Sequence, residues 1–421
     1  MENYVLPNYD VGIFRVVPTI IQESLKEDIN APYEEWVFAD KNIRKRFSEA
    51  DLSIVLIIDS LCLERLNGLV RDLWEENGKI ILSSVIPSTT ANAVGSIYIG
   101  MPPEQSGLIA MRFYVKEIGN FVDALLGKVS GVGSKDALAS VGVKLSSFLW
   151  DKPILSTLDS ENLLFVDLLP SNIQGGLERF YEENLISLHY SNGLDSVFEI
   201  RDIAREMIKK KFRGIIFVYF SDLDTASHKY SYKSWEWKEQ LSYINLVIKK
   251  LIEILRQLKK ETGKNLQLII MSDHGHEAIE MKINISEEIW TDFFKKQGIE
   301  AYMSSGRFAF MYLKQRHKIE DIDIEKIEAF FDHKVDAITI DHAIKTGFWP
   351  SLKEDHYDRF LVRAGDIIII PHDYTDIYLD KRRDEKIIQL EDVGNEYKKL
   401  RANHGGLTER EMLTPFIALV I

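Results

Sequence analysis

Three near-continuous apolar runs constrain this chain more than any other feature: "SIVLIID" at residues 53–59, "RGIIFVYF" at 213–220 and "LQLIIMSD" at 266–273. A strand with one wet face alternates apolar and polar residues, whereas a run with almost no polar interruption must be covered on both faces. Helical patterns lie between these runs. One helix is expected around Leu66 to Trp74, and a second from Ala91 to Gly100 after the strand "KIILSSVI". A third runs through Leu241, Ile244, Ile248, Leu251, Leu255 and Leu258, whose steps of three and four end at Gly263. Strands alternating with helices predict an α/β fold, a mostly parallel sheet with helices on both faces. Residues 281–394 have a different texture, with mixed strands such as "RFAFMYL" and "DIIIIP" and a charged helix near Ile319 to Phe331. They read as an α+β cap segment inserted beside the main sheet, leaving 1–280 together with 395–421 as the core. No internal repeat or Pro-, Gly- or Ser-rich linker divides the chain.

Charge narrows the partners. A formal net charge of −13 over 421 residues argues against a nucleic-acid polymer or an anionic membrane, but not against a small anionic substrate held by metal ions. The longest apolar runs, "SIVLII" and "IIIIP", are too short to cross a bilayer. The start "MENYVLPNYDVG" lacks a basic stretch leading into an apolar one, so no secretory signal is expected. Cys62 is the single cysteine, which excludes an internal disulfide and points to a reducing, cytoplasmic setting. Its neighbours place it as a small buried apolar side chain.

In open parallel sheets, functional groups gather beyond the carboxyl ends of the strands. Here the first strand ends in Asp59, the second leads to Thr89 and Thr90, the third to "SDLDTASHKY" and the fourth to "SDHGH". Ser88, Thr89 and Thr90 stand where a strand hands over to a helix. A hydroxyl there either caps the helix or faces its free N–H groups and positive dipole end, a setting that favours an alkoxide or a bound phosphoryl group. Asp224 and His228 are four apart, so one helical turn puts carboxylate and imidazole on the same side. Asp273 and His274 would point apart in a regular strand, but Gly275 lets the chain turn so that both converge. A second Asp-His pair, Asp341 and His342, has no glycine after it and runs into a helical pattern; it is assigned to structure. Near the C-terminus "NHGGLTEREMLTP" puts His404 on a Gly-Gly turn, ahead of a short helix opened by a Thr408–Glu411 capping box.

Together these residues resemble the alkaline phosphatase superfamily, most closely its nucleotide pyrophosphatase/phosphodiesterase-like branch. The motifs "IID", "PSTT", "DTASH", "DHG" and "HGG" occur in that family's order, from Asp59 to His404 and outside the inserted segment. The family's nucleophile is followed by a glycine and then Pro-x-x-x-Gly. "TANAVGSIYIGMPPEQSG" fits without a gap if Thr90, rather than Thr89, is the nucleophile. The resemblance implies an alkaline phosphatase-like core and two divalent metal ions. It assigns Asp224, His228 and His404 to the first ion, and Asp59, Asp273, His274 and the Thr90 oxygen to the second. It also implies a covalent phospho-threonine on Thr90. Imidazole and carboxylate donors suit Zn²⁺, with Mn²⁺ as the alternative.

The chain departs from the family at two places. His276 follows "DHG" where relatives carry an apolar residue, and is either a partner of the ligands or a surface side chain. An Asn that holds a phosphate oxygen in phosphodiesterase relatives falls on Met111, with Arg112 beside it as a candidate substrate contact. No third set of acidic ligands accompanies the motifs. The balance therefore tilts toward a small phosphodiester or nucleotide pyrophosphate substrate, whose second organic group would rest against 281–394. The alternatives are a phosphomonoesterase of the same superfamily, or a PglZ-like binding or scaffolding protein of a defence system. Arg307 is a further basic candidate for substrate selection.

Overall fold

The computed structural model describes residues 4–158, 161–173, 175–285, 288, 290–314, 316–379, 387–389 and 400–421. The boundary expected between 394 and 395 lies outside the described residues.

Seven strands make the central sheet: β1 Leu52–Ile58, β2 Ile81–Ser83, β3 Leu163–Pro170, β4 Leu185–Tyr190, β5 Arg213–Phe220, β6 Leu266–Met271 and β7 Leu413–Val420. Their spatial order is β2-β7-β6-β1-β5-β3-β4. Strand β1 lies parallel between β5 and β6, and β3 lies parallel between β5 and β4. Only β7 runs against its neighbours β6 and β2. The three runs singled out in the sequence are thus β1, β5 and β6, adjacent at the centre of the sheet.

Strand periodicity divides the core in two. Val55 and Ile57 of β1 face one layer, shared with Ala93, Val94 and Ile97 of α2 (Thr90–Ile99). Ile54, Leu56 and Ile58 face the other, where Leu241, Ile244, Ile248, Leu251, Leu255 and Leu258 of α5 (Trp235–Thr262) pack beside α1 (Gly68–Glu76) and α3 (Gly193–Lys209). Ser234 caps the start of α5 and Gly263, at φ +69°, closes its end. Between β5 and α5 lies α4, Asp222–Tyr230. No helix among the described residues is long and apolar enough to cross a membrane.

The segment after residue 281 carries a four-stranded antiparallel sheet, ordered Ile299–Ser305, Phe308–Leu313, Ile367–Pro371 and Val335–Thr339. The run "DIIIIP" is apolar throughout because both faces of this sheet are covered. Ile367 and Ile369 pack with Phe294, Ile327 and Phe331 in a local core, whereas Ile368 and Ile370 join the layer on the α2 side of the central sheet. The charged helix is shorter than its pattern suggested, Ile324–Phe330, because Asp323 caps it and a 3-10 turn precedes it.

Candidate active site

Because β1, β5 and β6 run the same way, the residues after their last positions emerge at one edge. Ser272 fastens two of these ends together: its hydroxyl reaches the Ile58 and His274 carbonyls at 2.8 Å each and accepts from the Leu61 amide at 2.9 Å. Ser60 turns β1 aside in the left-handed region, at φ +61°. Gly275 is required by space rather than by an unusual φ, since a Cβ there would lie 1.9 Å from the Arg410 carbonyl oxygen.

Two clusters of metal-binding side chains form at this edge, Asp224 with His228, His276 and His404, and Asp59 with Asp273 and His274. Within each, the ligand atoms lie within 4.8 Å of one another. In the first cluster, Asp224 Oδ1 stands 3.3 Å from His228 Nε2 and 3.6 Å from Nε2 of both His276 and His404. Asp224 and His228 meet across one turn of α4, as their spacing requires. In the second, His274 Nε2 lies 3.5 Å from Asp59 Oδ1 and 3.3 Å from Asp273 Oδ2. The clusters adjoin: the Ser60 hydroxyl lies 3.2 Å from Asp224 Oδ1 and 3.4 Å from Asp59 Oδ1, and the His274 and His404 rings stack at 4.0 Å.

Backbone carbonyls set the tautomers. Nδ1 of His228 faces Ala402 O at 2.9 Å, Nδ1 of His274 faces Gly275 O at 3.0 Å, and Nδ1 of His404 faces Ser88 O at 3.2 Å. A carbonyl only accepts, so each Nδ1 carries the hydrogen and each Nε2 presents its lone pair to the cluster.

Electrostatics favour a cation here. Among the described residues no lysine or arginine pairs with Asp59, Asp224 or Asp273, although the first and last are fully buried. Burial, followed by repulsion from Asp273 and Asp224, holds the Asp59 carboxyl well above its ordinary range, and burial raises Asp273 as well. Burial and the surrounding histidines push His276 and His404 well below the usual imidazole value, which keeps them neutral. Among the described residues, Asp273 Oδ2 and both ring nitrogens of His276 have no hydrogen-bond partner. Buried carboxylates without counter-charge, together with neutral imidazoles whose Nε2 atoms face the cluster, fit divalent ions.

The two threonines diverge. Thr90 opens α2 and its hydroxyl lies 3.2 Å from His274 Nε2, beside the second cluster. Thr89 is fully buried and turned away, 3.3 Å from Asn92 Oδ1 and 3.5 Å from Ser305 Oγ. A cavity of about 60 Å³ opens beside Thr90 among Val94, Leu125, Ile173, Leu177 and Tyr181. Among the described residues, none of its walls comes from 281–394, the segment expected to carry substrate selection. That segment instead presses its Ser305–Arg307 turn against Thr89 and the His404 backbone.

Other expectations change. Arg112 donates to Asp123 at 2.9 Å and Ser304 at 3.4 Å, and no described contact joins it to either cluster. Arg307 is buried against Glu411 and available to no substrate. His276 is not a surface side chain; it is fully buried in the first cluster. Asp341 and His342 belong to neither cluster: Asp341 accepts from Tyr357, and the His342 amide caps onto Thr339. Sequence reading passed over Ser60 and Tyr219, whose hydroxyl donates to Asp59 Oδ2. Only the pairing of Ile57 with Tyr219 brings that phenol to Asp59.

Known proteins share this architecture. Murine ectonucleotide pyrophosphatase/phosphodiesterase 5 superposes with a TM-score of 0.56 at 14% identity, covering 87% of each chain. Phosphonoacetate hydrolase from Sinorhizobium meliloti 1021, in complex with phosphonoformate, gives 0.56 at 16% identity, over 88% of this chain and 90% of its own. An inactive form of the murine protein in complex with AMP gives 0.56 at 15% identity over 87% of each chain. No curated protein matches the sequence at a significant level. The family model for type I phosphodiesterase / nucleotide pyrophosphatase spans residues 57–406, from the last turn of β1 to the loop that carries His404. With the strand-end motifs, the fold and most of the sequence in agreement, the chain belongs to the type I phosphodiesterase/nucleotide pyrophosphatase family and is a metal-dependent phosphoric ester hydrolase.

Proposed function

We propose that this hydrolase is a two-metal phosphodiesterase or nucleotide pyrophosphatase that works through a phosphoryl group carried on Thr90. The observation that carries the reading is the placement of the Thr90 hydroxyl 3.2 Å from His274 Nε2, at the start of a helix and beside two adjoining acidic-imidazole clusters. Asp224, His228 and His404 would hold the first ion, and Asp59, Asp273, His274 and Thr90 Oγ1 the second. The donor set suits Zn²⁺, with Mn²⁺ as the alternative. Such ions supply Lewis acidity, lowering the pKa of the threonine hydroxyl and neutralising the phosphoryl oxygens.

The remaining steps fall to the chain. Tyr219 and the Ser60 amide orient Asp59 and Asp273. The unsatisfied amides at the start of α2 face the phosphoryl group, where the helix dipole favours negative charge. Thr90 Oγ forms a bond to phosphorus as the bond to the leaving oxygen breaks; water then cleaves phospho-Thr90 and regenerates the hydroxyl. The cavity beside Thr90, with room for only a few atoms, would receive the edge of the organic group of a small phosphate ester or nucleotide, the class represented by AMP in the murine neighbour. Residues 1–280 with 395–421 act as the catalytic core, and the described part of 281–394 supports it through the contacts of Ser305 and Arg307. A single cysteine, Cys62, with no second thiol in the sequence to pair with, accords with a reducing, cytoplasmic setting.

Comparison of a nitrophenyl phosphodiester with its monoester tests the reading. The expected kcat/KM ratio favours the diester by at least roughly tenfold, about 1.4 kcal/mol of transition-state discrimination. A strong monoester preference that Arg112→Ala erases would show that Arg112 leaves Asp123 to meet the extra charge, and would overturn the diester assignment.

A further inference from the structure

We infer that His276 is a fourth protein ligand of the first metal ion, completing a set of Asp224, His228, His276 and His404. This rests on the two-metal reading and adds a residue to it. His276 is fully buried, yet neither of its ring nitrogens has a hydrogen-bond partner among the described residues. An unsatisfied polar group in an interior is destabilising, a penalty that an apolar side chain would avoid. A role in orienting a ligand would require a hydrogen bond to that ligand. The nearest approach, 3.6 Å from Nε2 to Asp224 Oδ1, is too long for one.

The approach is instead within a few tenths of an ångström of the separation expected between two donors on one ion. In a tetrahedron the edge is about 1.63 times the bond, so Zn–N bonds of roughly 2.0–2.1 Å give donor separations of about 3.3–3.4 Å. The Nε2 atoms of His228, His276 and His404 lie 3.3, 3.6 and 3.6 Å from the same carboxylate oxygen. The ring of His276 meets those of His228 and His404 at 81° and 80°, with centroids 4.7 and 5.0 Å apart, so the three imidazoles surround a point rather than stack past it. Three imidazoles and one carboxylate select an imidazole-preferring transition ion over Mg²⁺ or Ca²⁺; with four protein donors, substrate oxygen would enter only as a fifth ligand.

The test is metal binding by chelator competition, with the visible spectrum of the Co²⁺-loaded protein, for wild type and His276→Leu. Leucine fills the site without a stranded polar group, so the metal-free variant should melt no lower than wild type; should it fail to fold, His276→Gln takes its place. The expected result is at least a tenfold weakening at one of two sites together with a changed Co²⁺ spectrum. A smaller loss, or an unchanged spectrum, overturns the role of His276 while leaving the two-metal reading intact. Wild-type protein that binds fewer than two ions overturns that reading itself.

Discussion

Replacing Glu411 by Gln should damage a metal site that Glu411 does not touch. Glu411 and Arg307 are fully buried and paired at 2.6 Å. The carboxylate also accepts from the Gly406 amide at 2.8 Å, the Thr408 hydroxyl at 2.9 Å and the Thr408 amide at 3.2 Å, so it gathers the loop after His404. Arg307 holds the same loop from the other side: its amide donates to the His404 carbonyl at 2.7 Å, and its guanidinium donates to Thr375 at 3.0 Å and His372 at 2.6 Å. Glutamine keeps the shape but leaves the guanidinium buried with neutral acceptors only, and breaking a buried pair in this way costs about 3–5 kcal/mol. The loss is read from urea unfolding of the metal-free protein, as a lower midpoint at unchanged slope. Zn²⁺ affinity at the first site should fall as well, because His404 loses its support. Arg307→Met combined with Glu411→Leu should be less destabilised than the sum of its single variants, since no lone charge remains. A cost below about 1 kcal/mol for Glu411→Gln, or unchanged Zn²⁺ affinity, would refute the claim that this pair positions His404.

Thr90→Ala should abolish turnover while both metal sites still fill, whereas Thr89→Ala should keep most activity; comparable losses would mean that the nucleophile is misassigned. Gently purified protein should carry about two divalent ions per chain, and activity lost to a chelator should return with Zn²⁺ or Mn²⁺. Asp224→Ala and His404→Ala should each lower occupancy of one site and Asp341→Asn should not; equal effects would indict the wrong cluster. Because Asp59 and Asp273 hold protons more readily than ordinary carboxyls, ion uptake should release protons and affinity should climb with pH, which calorimetry in buffers of different ionisation enthalpy can measure.

Much of the site was legible in the chain because its determinants are local. Apolar runs named β1, β5 and β6; parallel direction put Asp59, Asp224 and Asp273 at one edge; and helical spacing joined Asp224 to His228. The choice of Thr90 over Thr89 came from fitting the family's pattern onto the chain, and the two hydroxyls have different surroundings: Thr90 lies beside His274, and Thr89 beside Ser305. What stayed hidden depends on partners distant in sequence. Tyr219 reads as one more apolar strand residue until register sets it opposite Ile57. Arg307 reads as a substrate contact until folding buries it against Glu411. His276 reads equally well as surface or interior, because a single imidazole carries no periodicity. Only the convergence of α4, the turn after β6 and the His404 loop strips water from its nitrogens and leaves it facing three other metal donors. Local pattern determines which elements form and where their ends lie; desolvation and long-range pairing decide which polar groups at those ends face one another.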